Sequence, residues 1–258
     1  MNTDEMNTAP GPVKAYIYMS YDNMLKVLVG RCLKVRTIEE CNDPYECMPA
    51  GPDGKMWQKI SRIGFLCFSQ TCTCGAMWGH YADKHKGVCL EFTFPRLDVQ
   101  PYIDLSNDEK YHYHVLNIGM GKDAFVSVPF SPNVKKKCAF LFDVIYRNNR
   151  ITPGLGMTAY FEDQGRMICD IDKAFVTKDS SWNYEKESRI LLHLKRKEKY
   201  VTCFHKYLTG VILGVKCLEK AEVIRKIIDK FRKSGDRSVT VYNAKYSKQT
   251  FNMDIRGL

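Results

Sequence analysis

Hydrophobic and polar positions change period along the chain, and the period separates strands from helices. Lys14 to Ser20 (Lys-Ala-Tyr-Ile-Tyr-Met-Ser) is rich in aromatic and β-forming residues and predicts a strand. Asp22 is placed to cap a helix over Met24–Val29, with Gly30 closing it. A short strand at Leu33–Arg36 follows. Ile63–Ser69 (Ile-Gly-Phe-Leu-Cys-Phe-Ser) is a continuous apolar run, which predicts a central strand buried on both faces. Ala76–Lys86 predicts a helix stopped by Gly87, and Val88–Phe94 returns as a strand. Phe140–Tyr146 and Ser188–Leu194 read as strands, Tyr160–Met167 as a turn or short helix, and Ala174–Thr177 as extended. At the end, Thr209–Val215 predicts a strand and Ser238–Ala244 another. Between them, Leu218–Lys233 sets Leu218, Ala221, Ile224, Ile227, Ile228 and Phe231 on one helical face. This strand–helix–strand run is long enough for a parallel crossover. Residues 1–12, ending in Pro10-Gly11-Pro12, read as a disordered tail. Residues 13–258 then form one α+β domain with a central mixed sheet flanked by helices.

Composition narrows the class. With 258 residues, 45% hydrophobic and 26% charged, the chain is neither a fibre nor a coiled coil nor mostly disordered. No run approaches the roughly 18 apolar residues that would span a bilayer, so no membrane role is expected. No basic region followed by an apolar one opens the chain, so no secretory signal is visible. Eleven cysteines, an odd count spread over a long chain, fit reduced thiols in a cytoplasmic protein better than a disulfide framework. The net charge of +10 is uneven: residues 1–130 carry 13 Lys/Arg against 15 Asp/Glu, and residues 131–258 carry 26 against 14. The basic second half, with Lys135-Lys136-Lys137, permits nucleic acid, an acidic protein or a phosphorylated small molecule as partner. A solvated basic face would read the same way.

Several familiar sites are missing. There is no Walker loop, no dinucleotide-binding glycine fingerprint and no His-Glu-x-x-His. Cys67, Cys72 and Cys74, with His80 or His85, invite a metal reading, but Cys72-Thr73-Cys74 is too tight for common zinc spacing, so no metal is expected.

Three segments carry candidate chemistry. Met77 to Gly87 places Trp78, His80 and Tyr81 close together after the apolar strand. On a helix, Trp78 and Tyr81 share a face, which makes either a ring-stacking wall or core packing. Asn42-Asp43-Pro44-Tyr45-Glu46 is turn chemistry, or a loop that holds Asn42, Asp43 and Glu46 at a pocket rim. In Trp182 to Arg189, a strand beginning at Glu187 would put Glu185, Glu187 and Arg189 on one face. Two carboxylates and a guanidinium are costly to bury without partners. Arg189 could pair with Glu185 and leave Glu187 to a substrate, or the three could form an exposed ion pair of little energetic worth.

These segments, with Tyr16 to Ser20, Cys67-Phe68-Ser69, His85-Lys86-Gly87 and Glu91-Phe92, occur in an order and spacing that resembles the bacterial domain-of-unknown-function family 2971. The chain also resembles, more weakly, the ADP-ribosyltransferase superfamily. There a first strand contacts NAD, a later strand ends in serine, and Glu-x-Glu opens another strand. Tyr18 with Ser20, then Ser69, then Glu185-x-Glu187 fall in that order. This second resemblance implies a split central sheet and NAD as substrate. It implies Glu187 beside the developing cation, Glu185 orienting or deprotonating the acceptor, and Trp78 and Tyr81 stacking on nicotinamide. Ser69 and His80 would hold ribose or phosphate, and Arg189 would neutralise the diphosphate or brace Glu185. The activity implied is ADP-ribose transfer to a macromolecule or NAD hydrolysis, in a bacterial toxin or phage-defence setting. Two other classes stay open. One is a non-enzymatic module binding nucleic acid or protein through the basic half. The other is a metal-dependent hydrolase or nuclease using Asp43, Glu46, His80 and Glu187.

Overall fold

The computed structural model describes residues 11–50, 63–104, 109–117, 125–126, 138–151, 174–194, 200–217, 220–231 and 238–258. Most of the expected tail, the Tyr160–Met167 segment and the Lys135-Lys136-Lys137 run lie outside them. The strands are β1 (Val13–Met19), β2 (Leu33–Lys34), β3 (Arg36–Thr37), β4 (Ile63–Ser69), β5 (Val88–Phe94), β6 (Arg96–Asp104), β7 (Glu109–Asn117) and β8 (Phe125–Val126). They continue as β9 (Cys138–Asp143), β10 (Ile145–Arg147), β11 (Thr177–Asp179), β12 (Glu187–His193), β13 (Tyr200–Val201), β14 (Leu208–Leu213), β15 (Thr240–Tyr246) and β16 (Met253–Gly257). The α-helices with both bounds among the described residues are α1 (Tyr21–Gly30), α2 (Gly75–Tyr81) and α3 (Ala221–Phe231).

One twelve-stranded sheet runs β16-β15-β14-β5-β1-β4-β12-β9-β7-β6, with β3 added to β4 and β8 to β12. It is mixed: β14 and β15 are parallel, joined across α3, and the other ladders of this sheet are antiparallel. The architecture is therefore α+β, with few helices among the described residues. β1 pairs with β5 from Val13↔Phe94 to Met19↔Val88. β4 pairs with β12 from Glu187↔Ser69 to His193↔Ile63. Between these two ladders, β1 meets β4 only at Tyr16↔Ser69. An unbroken ladder would go on to set Tyr18 against Cys67, but the strands splay, and the sheet opens there.

Both faces of the middle strands are covered, which is why Ile63–Ser69 reads as one apolar run. Leu66 and Phe68 point to the face shared by Met24 and Leu28 of α1 and Ile224 and Ile228 of α3. On the other face, Ile63 and Phe65 pack with Phe140, Phe142, Phe175 and Leu191, while Tyr16, Tyr18, Met77, Trp78 and Cys89 form a third cluster.

Several sequence expectations shift. Ser20, not Asp22, caps α1: its Oγ accepts from the Asn23 N–H at 3.3 Å. The residue that ends α1 is Arg31, in a left-handed conformation at φ 52°, one position after Gly30. α2 stops at Tyr81, five residues early, because Asp83, Lys84 and His85 all turn left-handed (φ 45°, 52° and 70°). Gly87 is needed for a close approach instead: a Cβ there would meet the Met19 carbonyl oxygen at 2.2 Å. The Phe140–Tyr146 expectation spans two strands, since the chain leaves β9 at Val144 and pairs β10 in parallel with β11. Ala174 and Phe175 are helical, and extension begins at Thr177.

Candidate active site in the opening of the sheet

Paired residues on neighbouring strands share a face. The register therefore lays Glu187, Ser69, Tyr16 and Glu91 in one row across β12, β4, β1 and β5. Two residues along, Arg189 lies beside Cys67 in the next row. A cleft of about 660 Å³ opens over these rows where β1 and β4 diverge. That volume is ordinary for a small-ligand site.

The local chain geometry explains how the charged groups converge. The Asp179 side chain accepts from the Ser181 N–H at 2.8 Å and caps a 3-10 helix over Ser180–Glu185. Lys186 follows in a left-handed conformation at φ 43° and turns the chain into β12. Glu185 and Glu187 thus flank a sharp turn, and both carboxylates reach Lys178 on β11, at 2.5 and 3.3 Å. Glu46 reaches the same ammonium at 3.4 Å. The Arg189 guanidinium is fully buried. It donates through Nε and Nη2 to both oxygens of Glu187 at 2.8 Å, through Nη2 to Glu46, and through Nη1 to the Phe175 carbonyl at 2.7 Å and Cys47 Sγ at 3.2 Å. It also lies over the Phe65 ring at 5.0 Å. Glu187 receives one more constraint from below, since its N–H donates to the Tyr146 hydroxyl at 2.8 Å.

Three carboxyls, Glu46, Glu185 and Glu187, thus surround two cations inside the protein. Burial alone would raise the Glu187 carboxyl, but Arg189 and then Lys178 outweigh it and hold the group at about 2, well below its ordinary value. Burial would likewise lower the Lys178 ammonium, but Glu187, Glu46 and Glu185 hold it above its usual range. Glu187 is therefore an ionised carboxylate at neutral pH, fixed by a bidentate guanidinium. Tyr81 donates to Glu185 Oε1 at 2.5 Å, and burial with that bond pushes the phenol above its usual range, so Tyr81 keeps its proton.

The cleft walls are basic and aromatic. Lys26 of α1, Lys34 of β2 and Arg36 of β3 line it, with Tyr16, Tyr18, Ser20, Asn23, Asn42, Tyr81 and Tyr200. Lys34 is engaged by Glu40 at 2.6 Å. Among the described residues, no hydrogen bond or ion pair claims Arg36. Its guanidinium lies within the fields of Cys67, Glu187, Tyr81 and Glu46, on the cleft wall above the carboxylates.

The structure places the sequence candidates unevenly. Glu185, Glu187, Tyr18, Ser20, Ser69, Tyr81, Asn42 and Glu46 all line the cleft. Glu46 is not at a rim: it is 7% exposed and ion-paired in the floor. Asp43 instead faces a neighbouring pocket of about 410 Å³ and accepts from the Tyr45 N–H at 2.8 Å, as turn chemistry requires. The Ser69 hydroxyl is already spent on the Glu185 carbonyl at 2.7 Å, so it positions that residue. The pairing expected between Arg189 and Glu185 is reversed, because Lys178 takes Glu185 and Arg189 takes Glu187. Sealed beneath the cleft, Arg189 cannot meet a diphosphate. Trp78 is fully buried, donates to the Cys72 carbonyl at 2.8 Å and packs edge-on against Tyr18 at 5.2 Å, so its ring is core and not a stacking surface. His80 is exposed on α2 with its ring tilted against Tyr184 at 6.0 Å, apart from the cleft lining. Asp43, Glu46, His80 and Glu187 therefore do not form the shared donor set that the metal-hydrolase alternative needs. Among the described residues, the three-ligand grouping is Cys41, Glu46 and Cys47, not the Cys67, Cys72 and Cys74 set. Sequence reasoning missed Lys178, Arg36 and Tyr146, which stand alone in the sequence with no motif around them.

The family comparison covers the segment that holds the charged turn. The family described as "Protein of unknown function (DUF2971)" matches residues 77–190, from α2 through the charged turn into β12. No curated protein matches the chain. Among solved structures, DarT of Thermus sp. 2.9 in complex with NAD+ is 11% identical, with 91% of this chain and 97% of that one covered at a TM-score of 0.34. A likeness that faint decides neither fold nor function. No helix among the described residues is long and apolar enough to cross a membrane.

Proposed function

We propose that the cleft binds NAD and that the protein transfers its ADP-ribose to a macromolecule, or to water. The observation that carries this reading is a buried, ionised Glu187 held bidentate by Arg189 at the floor of a basic, aromatic cleft where a split sheet opens. The order of Tyr18, Ser69 and Glu185-x-Glu187 along the chain supports it.

Cleavage of the bond between nicotinamide and ribose builds positive charge on the sugar. A fixed carboxylate stabilises that charge more than it stabilises neutral ribose, which lowers the barrier. Nicotinamide leaves with the bonding pair as a neutral base. The acceptor then bonds to the anomeric carbon and gives up a proton. Glu185, 2.5 Å from the Tyr81 hydroxyl, is placed to take or steer that proton. Arg36 replaces Arg189 as the diphosphate partner, because its guanidinium lines the cleft and no acceptor among the described residues claims it. Lys26, which also lines the cleft, adds charge. Tyr81 borders the ribose end, and Trp78 supports Tyr18 from behind.

The reading is tested by titrating the protein with NAD and with ADP-ribose. Both bind in the wild type. Arg36→Ala weakens both about tenfold, as loss of a charge-assisted contact would, and leaves thermal stability unchanged. Absence of binding by either ligand in the wild type would remove the basis of the reading.

A further inference from the structure

The loop that carries Glu46 into the site is bounded by two cysteines. Cys41 Sγ, a Glu46 carboxylate oxygen and Cys47 Sγ lie within 4.8 Å of one another. The two thiols are therefore close neighbours across the loop. Cys47 is fully buried and sits at φ 60°, a left-handed conformation that side-chain-bearing residues seldom adopt. In this conformation Cys47 Sγ is in reach of both Cys41 and Arg189 Nη1, the latter at 3.2 Å. Cys41 is half-buried and leans on the Thr37 carbonyl at 3.8 Å.

A metal ion is the other occupant this grouping suggests. Lys178 at 3.4 Å and Arg189 already occupy Glu46, and Arg189 also lies against Cys47. Two fixed cations among the donors oppose a divalent ion.

We infer that Cys41 and Cys47 are a reversible disulfide pair, a modification site that closes the Glu46 loop and disengages Cys47 from Arg189. With glutathione disulfide as oxidant, the Cys41 thiolate attacks one of its sulfurs. A Cys41–glutathione mixed disulfide forms and a glutathione thiolate leaves. Cys47 sulfur then attacks Cys41 sulfur, forming the internal bond and releasing the second glutathione thiolate. The two cysteine protons go to the two departing thiolates, and two electrons pass from the pair to glutathione. Cys41 takes the first step because it is the outer thiol. Burial pushes the Cys47 thiol well above its usual range, and Arg189 partly offsets this. Bonded sulfurs stand about 2.0 Å apart, so Cys47 Sγ must swing toward Cys41. Arg189 then loses one of the groups that fix it against Glu187. The pair is independent of NAD, and either claim can fail alone.

The test equilibrates the full chain in glutathione buffers of increasing oxidised fraction, alkylates free thiols, digests with trypsin and weighs the peptides. No Lys or Arg lies between Cys41 and Cys47, so one tryptic peptide holds both. The expected result is a form of that peptide two hydrogens lighter than its reduced mass and without alkyl groups. It should vanish with dithiothreitol and be absent in C41S, which still folds by circular dichroism. Alkylation of both thiols in the most oxidising buffer, or bonding of either to a different cysteine, would overturn the proposal. So would stoichiometric zinc that protects both thiols and is released by a chelator.

Discussion

Arg189 is the residue on which the site turns, because its charge is fully buried and every donor it uses has an acceptor. Breaking such a pair from one side leaves an uncompensated buried charge, which costs about 3–5 kcal/mol. Arg189→Met should therefore lower unfolding free energy by that amount in urea, against less than about 1 kcal/mol for Lys14→Ala, whose exposed ammonium pairs with Glu91 at 3.1 Å. Equal losses would mean the buried network is not what the distances indicate. Glu187 makes a pH-dependent contribution. Its carboxyl is held at about 2 in the folded state against an ordinary 4.5, so the unfolded chain binds the proton more readily. The contribution, about 3 kcal/mol, is complete above that ordinary value and disappears as pH falls toward 2. Glu187→Gln should lose this segment of the stability–pH curve and keep the rest; an unchanged acid limb would contradict the pairing. At this scale the sequence was partly readable. Glu-x-Glu-x-Arg ahead of an apolar strand announced buried charge. Its partners did not show, because Lys178 and Glu46 come from segments that only the fold brings together, and an isolated lysine looks like any surface lysine.

Among the elements, the strong apolar periods of β1, β4, β5, β12, β14 and α3 matched their expected places: β4 and β5 keep their expected ends, β1, β12 and β14 shift by one or two residues, and the described part of α3 lies within its expected range. The failures have local causes. Ser20 competes with Asp22 for the cap, and the structure uses the serine, which lies immediately before the first helical residue. β6 and β7 pair over Arg96–Leu116 in a segment whose apolar pattern gave no period, and the β15–β16 hairpin end was missed because Met253–Gly257 is short and polar. α2 was overrun because 83–86 (Asp-Lys-His-Lys) holds no Gly or Pro to stop a helix before Gly87, whereas the chain turns left-handed at 83–85 and brings Gly87 under Met19. Two glycines test this directly. Gly87→Ala forces a Cβ against the Met19 carbonyl at 2.2 Å and the Ala82 carbonyl carbon at 2.9 Å, so the variant should be strongly destabilised. Gly79→Ala lies within α2 with nothing inside 4 Å of its Cβ, so it should be neutral or gain up to about 1 kcal/mol. Similar melting temperatures for the two variants would refute this description of the turn.

At the scale of the whole molecule, the decisive feature is the single Tyr16↔Ser69 pair joining two seven-residue ladders. Where β1 and β4 diverge, the sheet has a cleft above its own buried charges, and basic side chains from α1, β2 and β3 wall it. Composition and periodicity indicated a mixed α+β sheet but not this opening, since register between distant strands leaves no mark on either strand alone. The concentration of positive charge in the second half did not by itself locate the site: the floor cations Lys178 and Arg189 come from it, but the wall cations Lys26, Lys34 and Arg36 come from the acidic first half. The central claim is that Glu187 drives cleavage of NAD in this cleft. The most direct measurement is nicotinamide release from NAD, with a cell lysate as acceptor source, by wild type and by Glu187→Gln shown to be folded by circular dichroism. The account predicts release by the wild type and a loss of about a hundredfold or more in the variant, as for removal of a transition-state-stabilising group. Equal release by both proteins, or none by a wild type that binds NAD, would contradict it.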